Sequence, residues 1–184
     1  MRESEIIVKM PPPNTANSPA SGWTPASKCY QTKDTKMPAL FTVRKLRLKD
    51  LDRVLVIERA SFGADAYDRK LFADYLHTCG DLFLAVESGR EVCGYLIACA
   101  RGERAELVSI AVDPAARGQG AASALMESAL RRLNRRRAAR LSLMVKTANR
   151  EAEACYLKYG FRKVRRVRGY YEDGSDGWLM ARNL

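Results

Sequence analysis

From Phe41 onward, apolar and polar positions alternate with two periods, and the switches between them mark out the elements. Phe41 to Leu48 reads as a strand, after which Asp50 is placed to cap an amphipathic helix carrying Leu51, Val54, Ile57 and Phe62. A shorter helix spans about Asp68 to Thr78. Leu82 to Glu87 and Glu91 to Ala100 alternate as strands joined by the Ser88-Gly89 turn, and Arg101-Gly102 leads into a third, Ala105 to Val112. After Asp113-Pro114 the period becomes 3.6: Ala122, Leu125, Met126, Ala129 and Leu133 line one helix face, with arginines on the other. Leu141 to Val145 reads as a buried strand, Arg150 to Tyr159 as a helix, and Arg162 to Val167 and Trp178 to Arg182 as closing strands. This order predicts an α/β (α+β) fold, a mixed and mostly antiparallel sheet of about six to seven strands with about four helices on its two faces.

Residues 1–38 are rich in Pro, Ser, Thr and Asn, include Pro11-Pro12-Pro13, and lack apolar periodicity, so they are expected to form a flexible tail before one domain over 39–184. Met37, just before the first strand, offers a second reading in which translation begins there.

Composition narrows the function classes. With 184 residues, 47% hydrophobic and 29% charged, the chain suits one soluble domain. No window has the roughly eighteen apolar residues of a membrane helix, and no apolar signal region opens the chain, so a cytoplasmic protein without a membrane partner is expected, as a monomer or a dimer. Five scattered cysteines (Cys29, Cys79, Cys93, Cys99, Cys155) and one histidine, His77, leave no raw material for a zinc site or a Ser-His or Cys-His nucleophile. The thiols are expected to be reduced and mostly buried, and no metal is expected. The net charge of +11 gathers at Arg131, Arg132, Arg135, Arg136, Arg137 and Arg140 and again at Arg162, Lys163, Arg165, Arg166 and Arg168. Such patches suit RNA, the ribosome, acidic peptides or the phosphates of a small ligand, or are simply solvated faces.

The chemistry centres on a strand (Ser109 to Val112), a glycine-containing loop and a long helix. That order presents unpaired backbone N–H groups and the positive helix end to an anion. Gly118 and Gly120 let the backbone curl around phosphate oxygens, and Arg117 adds charge.

Arg117-x-x-Gly120-x-Ala122, after Ala111-Val112-Asp113-Pro114, resembles the Q/R-x-x-G-x-G/A acetyl-CoA motif of the GNAT superfamily. Ala148-Asn149 and Ala154 to Phe161 resemble that superfamily's A-x-x-x-Y-x-x-x-G-F segment, in the expected order. The resemblance covers roughly residues 40 to 184 and implies the GNAT fold, with its sheet splayed at the cofactor site and acetyl-CoA as co-substrate. It implies further that Ile110, Ala111 and Val112 offer backbone to the pantetheine arm, that Arg117, Gly118, Gln119, Gly120, Ala121 and Ala122 bind the pyrophosphate, and that Asn149 contacts the cofactor. Asn149 also suits a helix N-cap. Tyr156 matches the family's general acid and lies against the cofactor; a phenol of pKa about 10 can protonate a departing thiolate of pKa roughly 8.5.

For the base, ribosomal-protein N-terminal acetyltransferases carry a glutamate where this chain has Met144, which cannot accept a proton. Glu106, six residues before Val112, matches the position of the base in histone-type acetyltransferases. Strand alternation would put Glu106, Val108, Ile110 and Val112 on one face. Glu106 and a water chain both stay open as base, because an α-amine of pKa near 8 demands less than a lysine at about 10.4.

The segment from Arg168 to Met180 resembles the Y-Y-x-D-G-x-D-A-x-x-M pattern of RimI-type N-terminal acetyltransferases, with Gly177 where Ala is usual. That resemblance implies a protein or peptide N-terminus as acceptor, bound by Tyr170 and Tyr171 beside Phe62 and Tyr67, by direct attack without an acyl-enzyme. A GNAT acting on a small amine or lysine side chain, and a non-catalytic coenzyme A- or RNA-binding module, are the alternatives.

Overall fold

A computed structural model describes residues 8–9 and 41–184. The expectation of a flexible tail over 1–38 lies outside the described residues apart from one two-residue strand, β1 (Val8–Lys9). The domain then runs β2 (Phe41–Lys45), α1 (Leu51–Phe62), α2 (Arg69–Cys79), β3 (Phe83–Ser88), β4 (Glu91–Arg101), β5 (Arg104–Val112), α3 (Ala121–Arg135), β6 (Arg140–Lys146), α4 (Arg150–Lys158), β7 (Arg162–Val167) and β8 (Gly177–Asn183). The strands are ordered β2-β3-β4-β5-β6-β8-β7, all antiparallel except β5 with β6.

Two cores sandwich this sheet. The apolar stripe of α1 and α2 (Leu51, Val54, Ile57, Phe72, Tyr75, Cys79) packs with Phe83, Tyr95, Ile97 and Val108. On the other face Leu125, Met126, Ala129 and Leu133 of α3 and Ala152 and Tyr156 of α4 pack with Leu84, Leu96, Leu107 and Ile110. The 3.6-residue periodicity of the four helices thus maps onto the layer each one covers.

Three expectations need correction. The first strand ends at Lys45, and Leu48–Asp50 forms a 3-10 turn. The cause is Asp50, which does not cap α1 with its side chain but folds back to accept from the Arg47 N–H at 2.7 Å and from Arg44 Nη1 at 2.7 Å. Second, Cys79 and Cys99 are joined in a disulfide, with Cα atoms 4.7 Å apart, rather than standing as two thiols. Cys93 is a buried and Cys155 a half-buried thiol, while Cys29 lies outside the described residues.

Third, the alternation of β5 is broken. Ile97 pairs with Ser109 but Ala98 with Leu107, so Val108 is an extra, bulged residue. Leu107, Ile110 and Val112 consequently face α3, whereas Val108 and Ala111 face α1 and α2. Glu106 does not share a face with Ile110 and Val112.

Candidate active site

The bulge at Val108 coincides with a parting of the sheet. β5 pairs with β6 only from Arg104↔Arg140 to Leu107↔Leu143, although β5 stays with β4 to Val112 and β6 with β8 to Lys146. A bulge sharpens local twist, which carries the rest of β5 away from β6. The freed edge of β5 pairs with Val8 at Ile110 and Lys9 at Ser109, so its backbone accepts an extended chain. Amides of a pantetheine arm would use the same donors and acceptors around Ile110, Ala111 and Val112.

At the far end of that edge Asp113 accepts from Ala115 N–H at 2.9 Å and pairs with Arg53 at 2.7 Å, fixing the turn. Gly118 (φ 71°) and Gly120 (φ 94°) are left-handed, and a Cβ on either would meet no atom within 4 Å. Backbone hand, not crowding by the protein, therefore requires glycine here. Gly120 begins α3 without a capping side chain, which leaves first-turn N–H groups at Ala121, Ala122 and Ser123 to serve an anion. Arg117 lies behind the loop, donating to Val112 O at 3.0 Å and reaching Ser61 Oγ at 3.3 Å. Gln119 braces the loop through Ala115 O at 3.0 Å. The loop is thus held from its protein side with its backbone available on the other.

Asn149 caps α4, accepting from Ala152 N–H at 3.0 Å, and the helix carries Tyr156 into the α3 layer. Tyr156 is fully buried with its ring edge-on to Phe161 at 5.5 Å. Among the described residues its hydroxyl has no hydrogen-bond partner. Burial first, then Cys155, Tyr171 and Tyr159, raises its pKa well above that of free tyrosine. A phenol held protonated and unpartnered is suited to donate, and a cofactor sulfur would fit it chemically.

Glu106 stands on the opposite face. Half-buried, its carboxyl has a raised pKa because burial outweighs the opposing charge of Arg101. Tyr75 and Tyr170 lie near enough to feel its charge: Tyr75 is pushed up to about 12, by burial first and then by Glu106. Tyr67, Tyr170 and Tyr171 are likewise raised, each chiefly by burial. Tyr171 lies near enough to Tyr67 and Tyr156 to raise the pKa of both, after burial. The expected tyrosines therefore do converge, and Phe62 packs half-buried at the rim of the same core.

Sequence reasoning missed Tyr75, Lys146 and Glu58. Tyr75 sits in the Phe72-Tyr75-Cys79 stripe of α2 and reads as ordinary core. Lys146, at the end of β6, reaches Asp173 at 2.7 Å and Asp65 at 3.6 Å, and its ammonium lies 5.1 Å from the Tyr171 ring centre. It ties the loop after α1 to the loop before β8. Buried Glu58 accepts from Tyr67 N–H at 2.8 Å and from the Tyr95 hydroxyl, which meets Ser109 Oγ at 2.9 Å. No local pattern announces such long-range partners. Met144 and Gly177, both departures from the expected motif, touch: a Cβ on Gly177 would come within 2.5 Å of the Met144 methyl and 3.4 Å of both tyrosine rings.

A parted sheet with an anion cradle and an unpartnered phenol on one side, and a carboxylate near tyrosines on the other, suits acyl transfer from a phosphate-bearing thioester to an amine. Residues 48–161 match the acetyltransferase (GNAT) family model. The chain is 31% identical to an N-alpha-acetyltransferase of Saccharolobus solfataricus, over 78% of this chain and 93% of the relative. It is 32% identical to the ribosomal protein bS18-alanine N-acetyltransferase of Escherichia coli K12, over 76% and 95% respectively. The crystal structure of Ard1 from Thermoplasma volcanium superposes with a TM-score of 0.75 at 28% identity, covering 78% of this chain and 97% of that one. This chain belongs to the GNAT family of N-acetyltransferases, enzymes that use acetyl-CoA.

Proposed function

We propose that this enzyme moves acetyl from acetyl-CoA to the α-amine at a protein or peptide N-terminus, in the cytoplasm and with ribosomal proteins among its acceptors. The observation that carries the reading is the placement of Tyr156 and Glu106 on opposite faces of one gap, with Tyr75 of α2 and Tyr170 of the loop before β8 near enough to Glu106 to feel its charge. The relatives named as N-alpha- and bS18-alanine acetyltransferases support the acceptor class.

In this reading acetyl-CoA supplies an activated acyl thioester. The β5 edge from Ser109 to Val112 aligns the pantetheine amides, and the backbone from Gly118 to Ala122, backed by Arg117, neutralises the pyrophosphate. Asn149 orders the start of α4 and contacts the cofactor. Tyr67, Tyr170 and Tyr171, with Phe62, hold the first residues of the acceptor. Glu106 receives the amine proton, directly or through water, and Tyr156 gives its proton to the leaving sulfur. An α-amine of pKa near 8 is roughly one-tenth neutral at pH 7, so a modest base suffices where Met144 stands in place of the glutamate of ribosomal-protein N-terminal acetyltransferases.

The arginine clusters are partly committed: Arg132 and Arg136 pair with Asp81, Arg131 with Glu127, Lys163 with Glu153 and Arg166 with Asp176. Their charge serves the fold first, and any attraction to ribosomal RNA comes from what is left. The test is free-thiol release with a panel of N-terminal peptides, polyamines and lysine peptides with blocked N-termini. Turnover confined to free N-terminal peptides is expected; turnover confined to polyamines or blocked peptides would overturn the reading.

A further inference from the structure

The disulfide sits beside the candidate base. Cys99 pairs directly with Glu106 across β4 and β5, so the two side chains share a face with Cβ atoms about 5 Å apart. Cys79 is the last residue of α2, and Tyr75, one turn earlier, projects from the same side of that helix. The near end of α2 is held by its Asp68 cap at 2.8 Å and by Phe72 against Phe83 and Tyr95. Its last turn is fastened covalently to the strand residue opposite Glu106. Arg101 of β4 and Tyr170 of the loop before β8 are the other charged or titratable groups near Glu106.

We infer that the Cys79–Cys99 disulfide is a redox-sensitive positioning element of the acceptor site. It rests on the assignment of Glu106 and its tyrosines to acceptor binding. Oxidised, the bond holds Tyr75 and the last turn of α2 against Glu106. Reduced, that turn loosens and the acceptor binds less productively, while the acetyl-CoA side is spared because α3 and α4 pack on the opposite face. The exchange balances with a small-molecule thiol couple. One thiolate attacks a sulfur, the half-buried Cys99 being more accessible than Cys79 at 4% exposure, and expels the other as a thiolate. A second thiol resolves the mixed disulfide, so two thiols become one small disulfide and the protein gains two cysteine thiols. The same small disulfide reverses the reaction.

The experiment uses the full chain purified without reductant. Thiol titration after denaturation should find three thiols, five cysteines less the bonded two, rising to five on reduction. Peptide acetylation followed by mass spectrometry should show the acceptor KM rising about three- to tenfold on reduction, the loss expected of a displaced positioning group. The acidic limb of the pH–rate profile should shift, and the acetyl-CoA KM should not. Cys79→Ser and Cys99→Ser should each reproduce the reduced behaviour and ignore reductant. Five thiols before reduction, or the same acceptor KM and pH profile in both states, would overturn the inference alone. Absence of acetylation of every peptide in both states would remove the acceptor assignment along with it.

Discussion

Changing Tyr156 to Phe should make the enzyme slower and the fold more stable. The ring stays: it is fully buried and packs edge-on against Phe161, and phenylalanine preserves that contact. What goes is a hydroxyl that no described residue partners. Burying such a group without a hydrogen bond costs about 1–3 kcal/mol, so its removal should stabilise the fold by about 1 kcal/mol. For a domain of this size that is a rise in Tm of about 3 °C. Turnover should fall about 10²-fold, the usual contribution of a positioned proton donor. The acetyl-CoA Kd should stay within about twofold, since the phenol proton is needed only as the C–S bond breaks. Thermal melts and steady-state rates on the same preparation test both signs together. A variant with parent-like turnover would remove Tyr156 from the proton path, and a lowered Tm would show that the hydroxyl is satisfied in the folded protein.

Glu106→Gln should abolish the acidic limb of the pH–rate profile, because a base with a raised pKa loses activity as pH falls through that value. The same raised pKa means the fold favours the protonated carboxyl. The variant should therefore melt above the parent once pH exceeds the folded pKa and match it below the unfolded one; a reversed trend in melts against pH would contradict the burial of this group. Gly177→Ala should cost about 1 kcal/mol through overpacking against the Met144 methyl, the low end of such costs because that methyl ends a flexible chain. Most of the loss should disappear in a Met144→Ala background, and additive melting shifts would deny the contact. Val8→Pro with Lys9→Pro removes whichever N–H donates to β5. Since β1 lies on the edge that pantetheine needs, this variant should bind acetyl-CoA roughly threefold more tightly by calorimetry, and unchanged affinity would mean the two do not compete.

The elements that carry the candidate site were legible because their signals are local. A glycine loop between a strand and a helix and an asparagine cap follow from spacing, and a tyrosine two turns into the helix follows from the family resemblance; the structure has Asn149 capping α4 and Tyr156 buried in the α3 layer. The face of Glu106 was not legible. Simple alternation grouped it with Ile110, and one bulged residue, Val108, reversed that; a bulge depends on pairing with β4, which no window of β5 alone contains. Asp50 misled for a similar reason, its carboxylate drawn to Arg44 and the Arg47 N–H rather than to its own helix. Cys79 and Cys99 looked like isolated thiols because twenty residues and a change of element separate them.

The central claim concerns which nitrogen receives the acetyl group. Incubating the enzyme with acetyl-CoA and a peptide that carries both a free N-terminus and an internal lysine, then locating the modification by tandem mass spectrometry, tests it directly. The expected result is a single acetyl on the α-amine, lost in Tyr156→Phe at short times and undiminished when the lysine is replaced. Acetyl found on the lysine side chain, or none on the α-amine while acetyl-CoA is consumed, would contradict it.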